Sequence, residues 1–167
     1  MRPDHLTDTV ATLAQALQRR GWRLATAESC TGGLIAAACT ELAGSSHWFD
    51  RGFVTYSNAS KTELLGVAAA LIEAHGAVSE PVACAMAQGA LERSQAEVSV
   101  AVTGIAGPGG AVPGKPVGTV WIGWARRGRT PQAECRHFEG DRHAVREATV
   151  AVALGGVLRL TPEQEAT

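Results

Sequence analysis

The stretch Trp22-Arg23-Leu24-Ala25-Thr26-Ala27-Glu28-Ser29-Cys30-Thr31-Gly32-Gly33 decides the fold. Residues 22–27 read as a β-strand running straight into the Ser29 segment. From Gly33 to Leu42 the chain is alanine-rich and reads as a helix, with Gly44 as its stop. A strand–turn–helix junction leaves backbone N–H groups unpaired at the helix start. They face whatever lies above the strand end, and the two glycines let a ligand approach the backbone closely.

Upstream, Leu6, Val10, Leu13 and Leu17 recur at helical spacing, and Gly21 ends the run. Downstream, Phe49 to Tyr56 reads as a second strand. Lys61 to Leu65 reads as a short helical turn and Ala68 to His75 as another. Ser79-Glu80-Pro81 is a helix start, with Ser able to cap free amides and Pro tolerated in the first turn; that helix runs to Glu92 or Arg93. Val98 to Thr103 is almost unbroken apolar sequence and suits a buried central strand. A Gly/Pro-rich loop covers Gly104 to Pro116. Val117 to Ala125 and Ala133 to Phe138 form a hairpin around Arg127-Gly128-Arg129. Asp141 caps a last helix reaching Leu160. Helix and strand alternate early and a hairpin comes late, which predicts an α/β fold with a mixed sheet and helices on both faces. Residues 1–160 are expected to be one domain and 161–167 a polar tail.

Composition narrows the function. The chain is 46% hydrophobic and 19% charged over 167 residues, a balance that suits a compact core rather than disorder. Net charge is −1 and the one basic cluster, Arg126-Arg127 with Arg129, sits in a turn, so no nucleic-acid partner is expected. No apolar run approaches the roughly 20 residues of a membrane span, so no membrane partner is expected either. Four widely spaced cysteines suggest neither a metal site nor a disulfide framework, and a cytoplasmic setting fits them.

Four segments could carry chemistry. In the first, Ser29 is either a nucleophile beneath backbone donors or, like Thr31, a helix cap. The segment is not the Gly-x-Ser-x-Gly elbow of hydrolases. Cys30 is a rival nucleophile, though no His adjoins it in sequence. The second is Tyr56-Ser57-Asn58-Ala59-Ser60-Lys61. Here Lys61 is either a solvated surface lysine or, if burial lowers its pKa, a base for Ser29; Tyr56 could relay a proton. The third, Thr103-Gly104-Ile105-Ala106-Gly107-Pro108-Gly109-Gly110, lacks both the P-loop ending and the dinucleotide Gly pattern. It is a flexible loop or a cradle for a small anion. The fourth is Gly140-Asp141-Arg142, where Arg142 is a surface residue or a forked phosphate contact. Ligands of open α/β sheets gather at the carboxyl ends of strands. If the three strands run parallel, the first three segments converge on one cleft for something small and phosphorylated.

Several long motifs, in order, then match one family. Ala25 to Gly33, Gly44-Ser45-Ser46, Tyr56-Ser57-Asn58 with Lys61, Leu64 to Val67, His75 to Ser79, Ala101 to Gly110 and Lys115 to Val120 closely resemble the CinA C-terminal domain family. The resemblance implies a three-layer α/β/α sandwich and no metal or cofactor. It also implies nicotinamide-nucleotide amidase activity, which converts nicotinamide mononucleotide to nicotinic acid mononucleotide and ammonia in pyridine nucleotide salvage. Carried onto this chain, Ser29 is the nucleophile and Lys61 with Tyr56 its activating group. The backbone of Cys30, Thr31, Gly32 and Gly33 is the expected oxyanion site. Asn58, Thr103, Gly104, Gly107 and Arg142 are expected ligand contacts. The family resemblance also implies a homodimer or larger homo-oligomer. The same loops would equally serve a non-catalytic nucleotide-binding module that acts as a sensor.

Overall fold

A computed structural model describes residues 3–162, so most of the expected polar tail, 163–167, lies outside the described residues. In chain order the elements are α1 (Pro3–Arg20), β1 (Leu24–Glu28), α2 (Leu34–Thr40), β2 (Phe49–Val54), α3 (Asn58–Leu65), α4 (Ala69–His75), α5 (Glu80–Glu92), β3 (Val98–Gly104), β4 (Thr119–Arg126), β5 (Gln132–His137) and α6 (Arg142–Leu160). A short 3-10 turn, Ser45–His47, precedes β2.

One mixed sheet has the order β2-β1-β3-β4-β5. The three strands β2, β1 and β3 run parallel, and β4 and β5 are antiparallel additions. Every residue of β1 is buried, as a central strand covered on both faces requires. One face packs on α1, α2 and α6 through Leu13, Leu17, Ile35, Val150 and Leu154. The other packs on α3, α4 and α5 through Leu65, Ile72, Val82, Met86 and Leu91. This is the three-layer α/β/α arrangement.

Particular residues set the details. Trp124 of β4 donates from Nε1 to the Ala153 carbonyl at 2.9 Å, and Gly156 supplies the side-chain-free surface against which the indole lies. Asp141 caps α6 by accepting from the Ala144 N–H at 2.9 Å. Ser57 caps α3 through the Ser60 N–H at 3.1 Å, so that helix begins three residues before the expected start at Lys61. Ser79 does not cap α5 as expected. Its hydroxyl donates instead to the Gly76 carbonyl at 2.8 Å and closes the preceding turn.

The register aligns the functional ends. Glu28, the last residue of β1, pairs with Val54 on one side and Val102 on the other. The turns that follow the parallel strands therefore open on the same rim of the sheet. The connection leaving β1 runs over one face through α2, and that leaving β2 runs over the other through α3 to α5. Such a switch point between β1 and β3 is where open α/β sheets form a crevice.

Candidate active site

Ser29 follows directly on β1 and is only 8% exposed. Its own N–H donates to the Val102 carbonyl at 3.1 Å, which fixes it to β3. Its carbonyl accepts from the Gly32 N–H at 3.1 Å, closing a tight turn. Gly32 and Gly33 complete that turn at φ 57° and 110°, a backbone region that strongly favours glycine. The pair of glycines is thereby explained by backbone shape.

Lys61 comes from α3, on the opposite face. It is 1% exposed, and its Nζ lies 3.1 Å from Ser29 Oγ. The Thr55 and Tyr56 carbonyls, at 3.0 and 3.2 Å, complete its surroundings. Burial pushes the Lys61 amine below its ordinary value, and the neighbouring Cys30 thiol partly opposes this. Cys30 itself is 5% exposed, and burial pushes its thiol up to about 11. A thiol shifted this way holds little thiolate at neutral pH, which counts against Cys30 as the nucleophile.

Tyr56 divides into two parts. Its carbonyl meets Lys61 Nζ and, at 3.4 Å, Ser29 Oγ. The residue is 62% exposed and its phenol oxygen accepts from Arg142 Nη2 at 3.3 Å. Arg142 also donates from Nη1 to the Gly107 carbonyl at 2.9 Å. Arg142, Arg146 and His143 line a cavity of about 670 Å³ with Ala106, Pro108 and Val117.

The other expected ligand residues separate. Thr103 is buried and donates to the Ala77 carbonyl at 2.9 Å, tying the turn before α5 to β3. Gly104 lies at the end of β3, where a Cβ would press on Val120. Asn58 is exposed on α3 and lines a different hollow with Thr62, Ala69, Ile72 and Glu73, away from the cavity beneath Arg142. Among the four expected oxyanion residues, Gly32 has its N–H already engaged by the Ser29 carbonyl, which leaves Cys30, Thr31 and Gly33.

Two residues with no assigned role from sequence hold the site in shape. Glu28 is 1% exposed and accepts from Thr31 Oγ1 and the Ile35 N–H, both at 2.7 Å, and from the Ala36 N–H at 3.1 Å. Its carbonyl accepts from the Thr55 N–H at 2.8 Å. The other is Arg146, which donates to the Cys30 and Thr31 carbonyls. Both carried a faint signal. Glu28 stands three residues before Thr31 at a helix start, and Arg146 is one turn beyond Arg142 on the same helical face.

The model of the CinA C-terminal domain matches residues 6–161. The chain belongs to the CinA C-terminal domain family. It is 52% identical over 160 residues to "Nicotinamide-nucleotide amidohydrolase PncC" of Enterobacter agglomerans, covering 95% of this chain and 97% of that relative. The Escherichia coli K12 protein of the same name is 49% identical over 156 residues, covering 92% and 93%. The crystal structure of the competence/damage inducible protein CihA from Agrobacterium tumefaciens superposes with a TM-score of 0.93 at 44% identity, covering 97% of this chain and 99% of that one. The match thus runs along nearly the full length of these three relatives. Among the described residues, no helix is long and apolar enough to cross a membrane.

Proposed function

We propose that this CinA-family chain is a nicotinamide-nucleotide amidase that works through a Ser29 acyl-enzyme. The observation that carries the reading is the 3.1 Å contact between Ser29 Oγ and the buried Lys61 amine, in a chain whose close relatives bear an amidohydrolase name.

Neutral Lys61 takes the hydroxyl proton as Ser29 Oγ attacks the carboxamide carbon. Backbone N–H groups of the Cys30–Gly33 turn receive the developing oxyanion, each such donor contributing roughly 3–4 kcal/mol. As the C–N bond breaks, the proton on Lys61 passes to the departing amine and ammonia leaves. Water then attacks the acyl carbon, giving its proton to Lys61, and the C–Oγ bond breaks as that proton returns to Oγ. The products are nicotinic acid mononucleotide and the free serine. The cavity beside Arg142 receives the nucleotide, whose phosphate supplies binding energy that orients the ring. Free nicotinamide is therefore a poor substrate. Tyr56 contributes its carbonyl to the Lys61 cradle and its phenol, with Arg142, to the cavity rim. Self-association and a cytoplasmic setting accompany this reading; the four cysteines are free, as a reducing compartment would leave them.

Incubating the protein with nicotinamide mononucleotide and measuring ammonia tests the proposal. Release of ammonia by the parent protein and none by a folded Ser29→Ala variant is the expected result. Binding without turnover would instead mark a nucleotide-binding module.

A further inference from the structure

Arg146 approaches the Ser29 turn from α6. Its Nε donates to the Cys30 carbonyl at 3.1 Å and its Nη2 to the Thr31 carbonyl at 3.3 Å. Two consecutive carbonyls are thereby drawn to one guanidinium. In a planar trans peptide the N–H points opposite to the C=O. Fixing the Cys30 carbonyl therefore fixes the Thr31 N–H on the side away from Arg146. That N–H makes no hydrogen bond among the described residues, whereas the Gly32 N–H is engaged by Ser29. Glu28 holds the hydroxyl of the same threonine at 2.7 Å. Thr31 is thus gripped at its carbonyl by α6 and at its side chain by β1.

We propose that Arg146 is a positioning residue for acyl transfer at Ser29, its forked guanidinium fixing the backbone of the Cys30–Gly33 turn on which the oxyanion site stands. The inference rests on the reading of Ser29 as nucleophile. The Ser29–Gly32 hydrogen bond and the Glu28–Thr31 contact hold the flanking backbone, while among the described residues the fork is what holds the Cys30 carbonyl itself. A lysine keeps the charge but lacks the planar pair of donors.

The test compares Arg146→Lys and Arg146→Ala with the parent protein in three measurements: thermal unfolding, hydrolysis of nicotinamide mononucleotide, and the rate at which a fluorophosphonate probe labels Ser29. Both variants are expected to slow labelling and kcat by about 10- to 100-fold. KM should stay within about twofold, and millimolar methylguanidinium should restore part of the activity of Arg146→Ala. Labelling and kcat within about twofold of the parent, or a loss confined to KM, would overturn the proposal. The second outcome would make Arg146 a substrate contact. If Arg146→Ala does not fold, Arg146→Lys carries the comparison. A parent protein that labels at Ser29 but leaves nicotinamide mononucleotide intact removes the amidase reading, while the labelling rates still decide the role of Arg146. A parent protein that does not label at Ser29 removes both.

Discussion

Lys61 Nζ has two carbonyls and one hydroxyl around it. An ammonium can donate to all three. A neutral amine can donate to the carbonyls and accept from Ser29. The same partners therefore serve both forms, and proton uptake needs no rearrangement of the site. Because burial lowers the amine's pKa from 10.5, kcat/KM should rise with pH through that lowered value and then level off. Lys61→Met should reduce kcat by about a hundredfold or more. Tyr56→Phe preserves the carbonyl and should be at least about tenfold less damaging, a difference steady-state kinetics will read. Stability offers an independent check. Between the lowered pKa and 10.5 the folded protein binds fewer protons than the unfolded chain, so its stability rises with pH in that window. Below the window the burial penalty on the charged amine is present in full. The melting temperature of Lys61→Met relative to the parent should accordingly be most favourable below the lowered pKa and lose that advantage as pH rises toward 10.5. A gap independent of pH would show that Lys61 is not a buried amine of perturbed pKa. At this scale the sequence was only partly readable. A lysine in the first turn of a helix is ordinarily solvated, and only the family motifs singled out Lys61. Glu28 carried even less signal, because a buried glutamate and a surface one are written with the same letter.

Elements were easier to read than residues, for a physical reason. Burial on both faces favours apolar residues at successive positions, and the Val98 to Val102 stretch of β3, interrupted only by Ser99, is visible in the chain; β1 is as buried but carries Thr26 and Glu28. Boundaries moved by a few residues where side chains outside the strand decided them. The expected strand from Trp22 starts at Leu24, and Trp22 instead packs its ring against the guanidinium groups of Arg20 and Arg126 at 4.4 and 4.7 Å. The Ser79 cap was misjudged because a nearby carbonyl competed for the hydroxyl. Two substitutions test how elements are joined. Glu28→Ala strips the acceptor from two buried donors, each costing about 1–3 kcal/mol when unpaired, and from the part-buried Ala36 N–H. Denaturant melts should show a loss of several kcal/mol, and hydrogen exchange should show early opening at Ile35 and Ala36. Gly89 of α5 lies against the Leu65 carbonyl oxygen, the last residue of α3, with no room for a Cβ. Gly89→Ala should destabilise by about 1–3 kcal/mol and, by displacing the helix that carries Lys61, lower kcat in the folded fraction. Unchanged stability in either variant would show that these junctions relax more freely than the packing implies.

Across the whole molecule, the mixed sheet and its two covered faces were legible from the order of apolar runs, turns and amphipathic segments. The convergence of three loops on one rim depended on three strands being parallel and in register, which no local pattern states. Side-chain convergence at the cavity followed even less directly, and Asn58 shows how a residue adjacent in sequence to the site can face another hollow. Ser29 stands on the turn leading to α2, packed on one face of the sheet, while Lys61 stands on α3, packed on the other. The 3.1 Å gap between them spans the rim of the sheet. In the proposed mechanism catalysis is therefore a coincidence detector for the docking of two separate layers: loosening either one silences it, even while the other remains intact. Activity should disappear at or before the first loss of helical signal in a denaturant titration, which makes turnover a gauge of how the two layers are docked.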